Sequence, residues 1–189
     1  MASALPGIFG GAMAVGNERS FGTVASILIA PASKMLVFAG RSVPYIVNGV
    51  FSALVVFLAT APFTGYFSLE AVGRIALAGL PGALACTALG LVVGAIGLLV
   101  RDIWLLANLM MLCLLVFSGA IVPLDTLPPL VQLIAAGTPL THAIEFVRGG
   151  TASALGGEAC VAVVFALLAA LLLRYIDRAA RSRATVEVV

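Results

Sequence analysis

IALAGLPGALACTALGLVVGAIGLLVRDIWLLANLMMLCLLVFSGAI, from Ile75 to Ile121, decides the fold. Its first part, Ile75 to Val100, carries no charge and is roughly 26 residues long, about 39 Å as a helix. That exceeds the roughly 30 Å hydrocarbon core, so the segment can span it with tilt, and Pro81 predicts a kink in its first third. A second apolar run, Ile103 to Ile121, follows after only Arg101 and Asp102. So short a turn makes the two helices antiparallel neighbours.

The same character extends over the chain. Of its 189 residues 62% are hydrophobic and only 10% charged, with a mean hydropathy of +1.21. This is far beyond the needs of one soluble core and identifies an integral membrane protein. Barrel strands would read as alternating segments of about 10 residues, and the sequence has none. Tyr45 to Thr64, entered after Pro44 and closed by Pro62 and Gly65, predicts another span, and Ala159 to Ile176 the last. Ala2 to Val15 covers only about 21 Å, the end of a span rather than a whole one. The expectation is an all-α, polytopic transmembrane bundle forming a single domain over 1–189, with about four full spans and a partial N-terminal one.

Basic residues orient it. With the first connection and the C-terminus inside, Arg19, Lys34, Arg41, Arg101, Arg174, Arg178, Arg181 and Arg183 are cytoplasmic, and only Arg74 and Arg148 lie outside. That distribution is a positive-inside bias and predicts a cytoplasmic C-terminus. No basic tract suggests nucleic acid. Between Ile121 and Ala159 lies an outer segment too long for a plain loop, containing Pro123, Pro128, Pro129 and Pro139. Its apolar piece Leu130 to Ala136 rises only about 10 Å as a helix, so it can dip into the membrane and return but not cross.

One cytoplasmic stretch is unlike the rest: GNERSFGTVASILIAP, Gly16 to Pro31. Val24, Ile27 and Leu28 give a short helix one apolar stripe, Ser20 or Thr23 can cap it, and Pro31 ends it. Glu18 sits near its N-terminus, where a negative charge is favoured. Such a helix lies across the ends of the spans, either as a plain connector or as a docking surface for a soluble partner.

The order Glu18-Arg19, Gly22-Thr23, Ala30-Pro31 and Gly40-Arg41 resembles the cytoplasmic loop of type-2 ABC transporter permeases. A second block, FSGAIVPLDTLPPLVQLIAAGTPLTHAIEFVRGG, resembles that family's signature, with Phe117, Ser118 and Gly119, then Pro123 and Pro128, then Pro139, Leu140 and Thr141 leading to Arg148. The resemblance covers nearly the whole chain. It implies a coupling helix that docks on a cytoplasmic ABC ATPase subunit, with Glu18, Arg19, Gly22, Thr23, Ile27 and Pro31 at the contact. It also implies outer re-entrant helices formed by the second block, and a dimer of two permeases, alike or different. The family usually has six spans, so the expectation is an N-terminally truncated frame or a short form.

His142, Glu145 and Arg148 recur every third residue, within reach of one another on a helix. A satisfied polar cluster is expected there rather than a proton relay or metal site, since one His and one carboxylate are poor ligand chemistry. Gly90 and Gly94 form a GxxxG step, with Gly97 beyond, a face expected to pack closely against a neighbouring helix or subunit, a helix of the same chain ahead of another subunit. Asn48 and Asn108 are polar groups within spans, expected to bond a neighbouring helix or to mark a pathway. Cys86, Cys113 and Cys160 are expected to be small buried packing residues, with neither disulfide nor metal.

No GxxxxGK[ST] occurs, and the only lysine, Lys34, follows Ser33. ATP and Mg therefore belong to the partner ATPase, and this chain is expected to bind no cofactor and to be no enzyme. The resemblance implies the permease of an exporter in the bacterial cytoplasmic (inner) membrane, moving amphipathic, drug-like or lipid- or glycan-linked cargo. The rival is a non-transporting membrane protein: a truncated remnant, or an assembly or immunity factor.

Overall fold

A computed structural model describes residues 2–20, 34–65, 68–100 and 102–186. It is all-helical, with no strand among these residues. Among the described residues seven α-helices follow in order: α1 (Ala4–Ser20), α2 (Lys34–Thr64), α3 (Leu69–Gly97), α4 (Ile103–Phe117), α5 (Pro129–Ala136), α6 (Thr141–Val147) and α7 (Ser153–Val186), with a 3-10 turn at Leu124–Thr126. The expected coupling helix, with Gly22, Thr23, Ile27 and Pro31, lies outside the described residues.

Among the described residues three helices, α2, α3 and α7, are long and apolar enough to cross a membrane. They differ in position: 61% of the apolar window of α3 is buried within the protein, against 11% for α2 and α7. α3 is therefore the central post, and the other two turn most of their apolar surface outward. α2 starts well before the expected Tyr45 and continues past Pro44 without a break. A proline is tolerated in such a helix because neighbouring helices and hydroxyl side chains can satisfy the backbone groups it frees. Ser42, two residues upstream, is buried and donates to the Phe38 carbonyl at 2.8 Å, one turn back in the same helix and not the Gly40 carbonyl that Pro44 frees.

α1 extends beyond the expected Val15 to Ser20 and packs into the centre, with Ile8, Ala12 and Val15 fully buried. The reason is glycine. A Cβ on Gly90 of α3 would stand 2.5 Å from the Ile8 carbonyl oxygen and 2.8 Å from that of Gly7, and one on Gly11 would stand 2.5 Å from the Thr87 carbonyl. Gly94 meets Val15 in the same seam. Two backbones approach this closely only where side chains are absent, and the reward is dispersion along the whole contact. GxxxG in α3 thus packs within the chain, against α1.

α3 ends at Gly97, three residues short of the expected Val100, so the turn into α4 opens earlier than the sequence suggested. Asp102 is the N-cap of α4, its Oδ1 accepting from Trp104 N at 3.0 Å and Leu105 N at 3.1 Å. At its other end α4 stops at Phe117, four residues short of the expected Ile121, because Gly119 takes φ +73° and turns the chain aside. Its 15 residues rise about 22 Å, less than the hydrocarbon thickness. The chain then forms the 3-10 turn and the pair α5–α6, bent by 94°. The turn between α3 and α4 is the loop end of the bundle; α5 and α6 mark the re-entrant end.

Cys86 is buried and Cys113 half-buried, but Cys160 is exposed on α7, so the expectation that all three are buried packing residues fails there. Helix α7 faces outward along that side and leaves Cys160 without cover. Asn48 and Asn108 bond within their own helices rather than to neighbours: Ser52 Oγ donates to Asn48 Oδ1 at 3.4 Å, and Asn108 donates to the Trp104 carbonyl at 2.9 Å.

Candidate functional site

The re-entrant end is assembled around one residue that sequence reasoning passed over. Glu158, in the second turn of α7, is fully buried. Its Oε1 accepts from Leu140 N at 2.7 Å and its Oε2 from Ala143 N at 3.2 Å. Leu140 precedes α6, so these are N–H groups that the start of any helix leaves without intrahelical partners. Normally a Ser, Thr, Asp or Asn next door in sequence caps them. Here the cap comes from another helix and ties α6 to α7.

The path into this clamp is strained. Leu140 has φ +72°, the sole positive φ among described non-glycine residues. An L-residue there costs about 1–2 kcal/mol. The strain is offset by burial of the side chain, 3% exposed, over Gly82 of α3, where even a Cβ would stand 2.9 Å from Leu140 Cδ2. Pro139, also fully buried, fixes the chain just before the turn.

α6 then presents two faces. Thr141, Ala143 and Phe146 are buried. His142 Nε2 lies 3.0 Å from the Ala136 carbonyl and Nδ1 3.7 Å from Glu145 Oε2. A carbonyl only accepts, so Nε2 carries the proton. Gly157 of α7 leaves room for the imidazole, since a Cβ there would stand 3.1 Å from the ring. Arg148 does not join this cluster: it reaches back to the Ala120 carbonyl at 3.3 Å, beside Gly119. From α3, Arg74 donates to the Phe146 carbonyl at 3.3 Å, lies over the Phe146 ring at 5.6 Å and pairs with Glu70 at 3.0 Å.

The residues of the second sequence block therefore converge. Phe117 is half-buried at the end of α4, Ser118 and Gly119 are buried, Pro123 is exposed, and Pro139, Thr141 and Arg148 flank α6. A cavity of about 510 Å³ lies among them, lined by Ser118, Gly119, Thr141, His142, Glu145 and Arg148. Across α6 lies a second cavity of about 410 Å³, walled by apolar residues of α2 and α3 including Val56, Phe57, Ile75 and Ala78. Of the first block, Glu18 and Arg19 fall in the last turn of α1, which directs the chain toward residues 21–33.

Glu158 was hidden from the sequence because it stands at the boundary of an apolar run and reads as its polar flank. The only local signal was Gly156-Gly157 before it, which removes side chains where α7 meets α6. Among the described residues no group of three His, Cys, Asp or Glu could hold a metal ion.

A family model described as ABC-2 type transporter matches residues 4–151, from the first residue of α1 to just past α6. No curated protein matches the chain, and no solved structure does. The match takes in the glycine seam, the segment between α1 and α2 and the whole re-entrant pair, and the chain therefore belongs to the ABC-2 type transporter family, as a membrane-spanning permease component of an ABC transporter.

Proposed function

We propose that this permease exports an amphipathic substrate, drug-like or lipid- or glycan-linked, across the bacterial cytoplasmic membrane, as a homo- or heterodimer driven by two cytoplasmic ATPase subunits that bind the ATP and Mg. In this reading residues 22–29 form the coupling helix, the loop end and the C-terminus face the cytoplasm, and the re-entrant end faces out. The observation that supports it best is the Glu158 clamp. A short helix held across a 94° bend by one side chain of a spanning helix is an element that a modest movement of α7 or α3 can displace.

A continuous set of contacts joins the two ends. α1 leads directly into the proposed coupling segment and packs its backbone on α3 through Gly90 and Gly94, and α3 meets Leu140 through Gly82. A push on the coupling segment would be carried by α1 and α3 to the root of α6.

The test is co-purification, in detergent, with an ABC ATPase encoded beside this chain, comparing wild type with Glu18→Lys and Gly22→Trp. Association lost in both variants, with unchanged yield of the permease, supports the coupling role. Failure of the wild type to retain any ATPase counts against the exporter and favours a non-transporting role.

A further inference from the structure

α6 separates two cavities of opposite character. Ile144 and Arg148 line both the polar cavity and the apolar one, so the two meet along the edge of a single helix. Both volumes fall in the range of about 300–1,000 Å³ usual for small-molecule sites. Thr141, one of the residues lining the polar cavity, is 3% exposed, and its buried Oγ1 has no hydrogen-bond partner among the described residues. A buried hydroxyl is costly to leave unpaired, so a polar ligand atom reaching it is favoured.

Charge selects the ligand class. Glu145 on α6 and Arg148 at its C-terminal end both line the polar cavity and are opposite in sign. Glu145 is largely exposed, its Oε2 3.7 Å from His142 Nδ1, and Arg148 uses one donor on Ala120. A purely anionic head would meet Glu145, and a purely cationic one Arg148. A head carrying both signs satisfies both.

We propose that α6 is the partition of a two-part site for a single-chain zwitterionic amphiphile, whose head lies against Glu145, Arg148 and Thr141 and whose tail passes over Ile144 into the apolar cavity beside Phe57. This deepens the exporter reading by naming a cargo class and rests on it for its biological sense. Its test needs no ATPase, so loss of the site and loss of the coupling role are separate results.

The chain is reconstituted in phosphatidylglycerol nanodiscs and exposed to lysophosphatidylcholine bearing a diazirine near the end of its acyl chain, with crosslinks mapped by mass spectrometry. Saturable labelling concentrated on Val56, Phe57, Ile75 and Val147 is expected. Glu145→Arg and Arg148→Glu should each weaken it about tenfold, one charge contact's worth, and the two together should recover most of it because a zwitterion can bind the exchanged pair. Phe57→Trp, which fills the tail cavity and leaves the head residues alone, should abolish labelling even if a charge variant fails to fold. Unsaturable labelling spread over the outward faces of α2, α4 and α7 overturns the site, as does indifference to Phe57→Trp. Equal labelling by the lysophosphatidylglycerol analogue overturns the zwitterion assignment.

Discussion

Glu158 and Leu140 are 18 residues apart in the chain and 2.7 Å apart in space, carboxylate oxygen to backbone nitrogen. The same carboxylate also takes the N–H of Ala143. Glu158→Ala would leave both donors buried without a partner, at about 1–3 kcal/mol each. Glu158→Gln keeps one acceptor but turns an amide NH2 toward the other N–H, so it should lose roughly half as much. The expected order of thermal stability in detergent is wild type, then Gln, then Ala. Amide exchange should rise first in residues 140–147. If exchange there is unchanged in Glu158→Ala, the clamp does not hold α6.

Asp102 offers a milder case at the loop end. Its carboxylate caps two N–H groups of α4 and is exposed, so Asp102→Ala should cost about 1 kcal/mol and Asp102→Asn close to nothing. A denaturant or thermal series on the two variants checks it. Equal losses would mean that charge at this turn matters more than the cap.

The two caps show what the sequence can and cannot reveal. Asp102 sits one residue before its helix, so apolar periodicity and the Arg101-Asp102 break locate it directly. Glu158 caps a helix that begins 17 positions earlier in the chain, and its partners are main-chain groups that leave no side-chain signature. Spans were legible because the membrane sets their length, and the bent pair because Leu130 to Ala136 is too short to cross. Arg148 was misplaced with His142 and Glu145 because helical spacing gives proximity along α6, whereas its side chain follows the carbonyl that Gly119 turns toward it. The burial of α1 was illegible from length alone. It depends on glycines of α1 meeting glycines of α3, a match between segments far apart in the chain.

Gly119 makes a separate prediction. It holds φ +73°, and a Cβ there would stand 2.9 Å from Leu124 Cγ. Gly119→Ala combines a left-handed backbone with a contact that Leu124 must yield to, and should cost about 1–2 kcal/mol. Gly149, at φ +108° with open space around it, tests the backbone effect alone. Gly119→Ala should therefore lower the melting temperature more than Gly149→Ala. The reverse order would place the terminus of α4 elsewhere.

The glycine seam should be the least tolerant part of the protein. Gly90→Leu puts a side chain where the Ile8 and Gly7 carbonyls lie, and neither backbone can swing aside as a flexible side chain would. α1 must move off α3, uncovering Ile8, Ala12 and Val15, all fully buried in the structure. Overpacking of a yielding core costs about 1–3 kcal/mol, and separating two backbones should exceed that. The expected result is little or no monodisperse protein after detergent extraction. Gly73→Ala lies on the same helix with nothing within 4 Å of the added Cβ, and should change stability by less than about 1 kcal/mol. A Gly90→Leu protein that purifies and melts like wild type would mean that α1 does not sit against α3 in the membrane, and the route proposed from the coupling segment to α6 would fall with it.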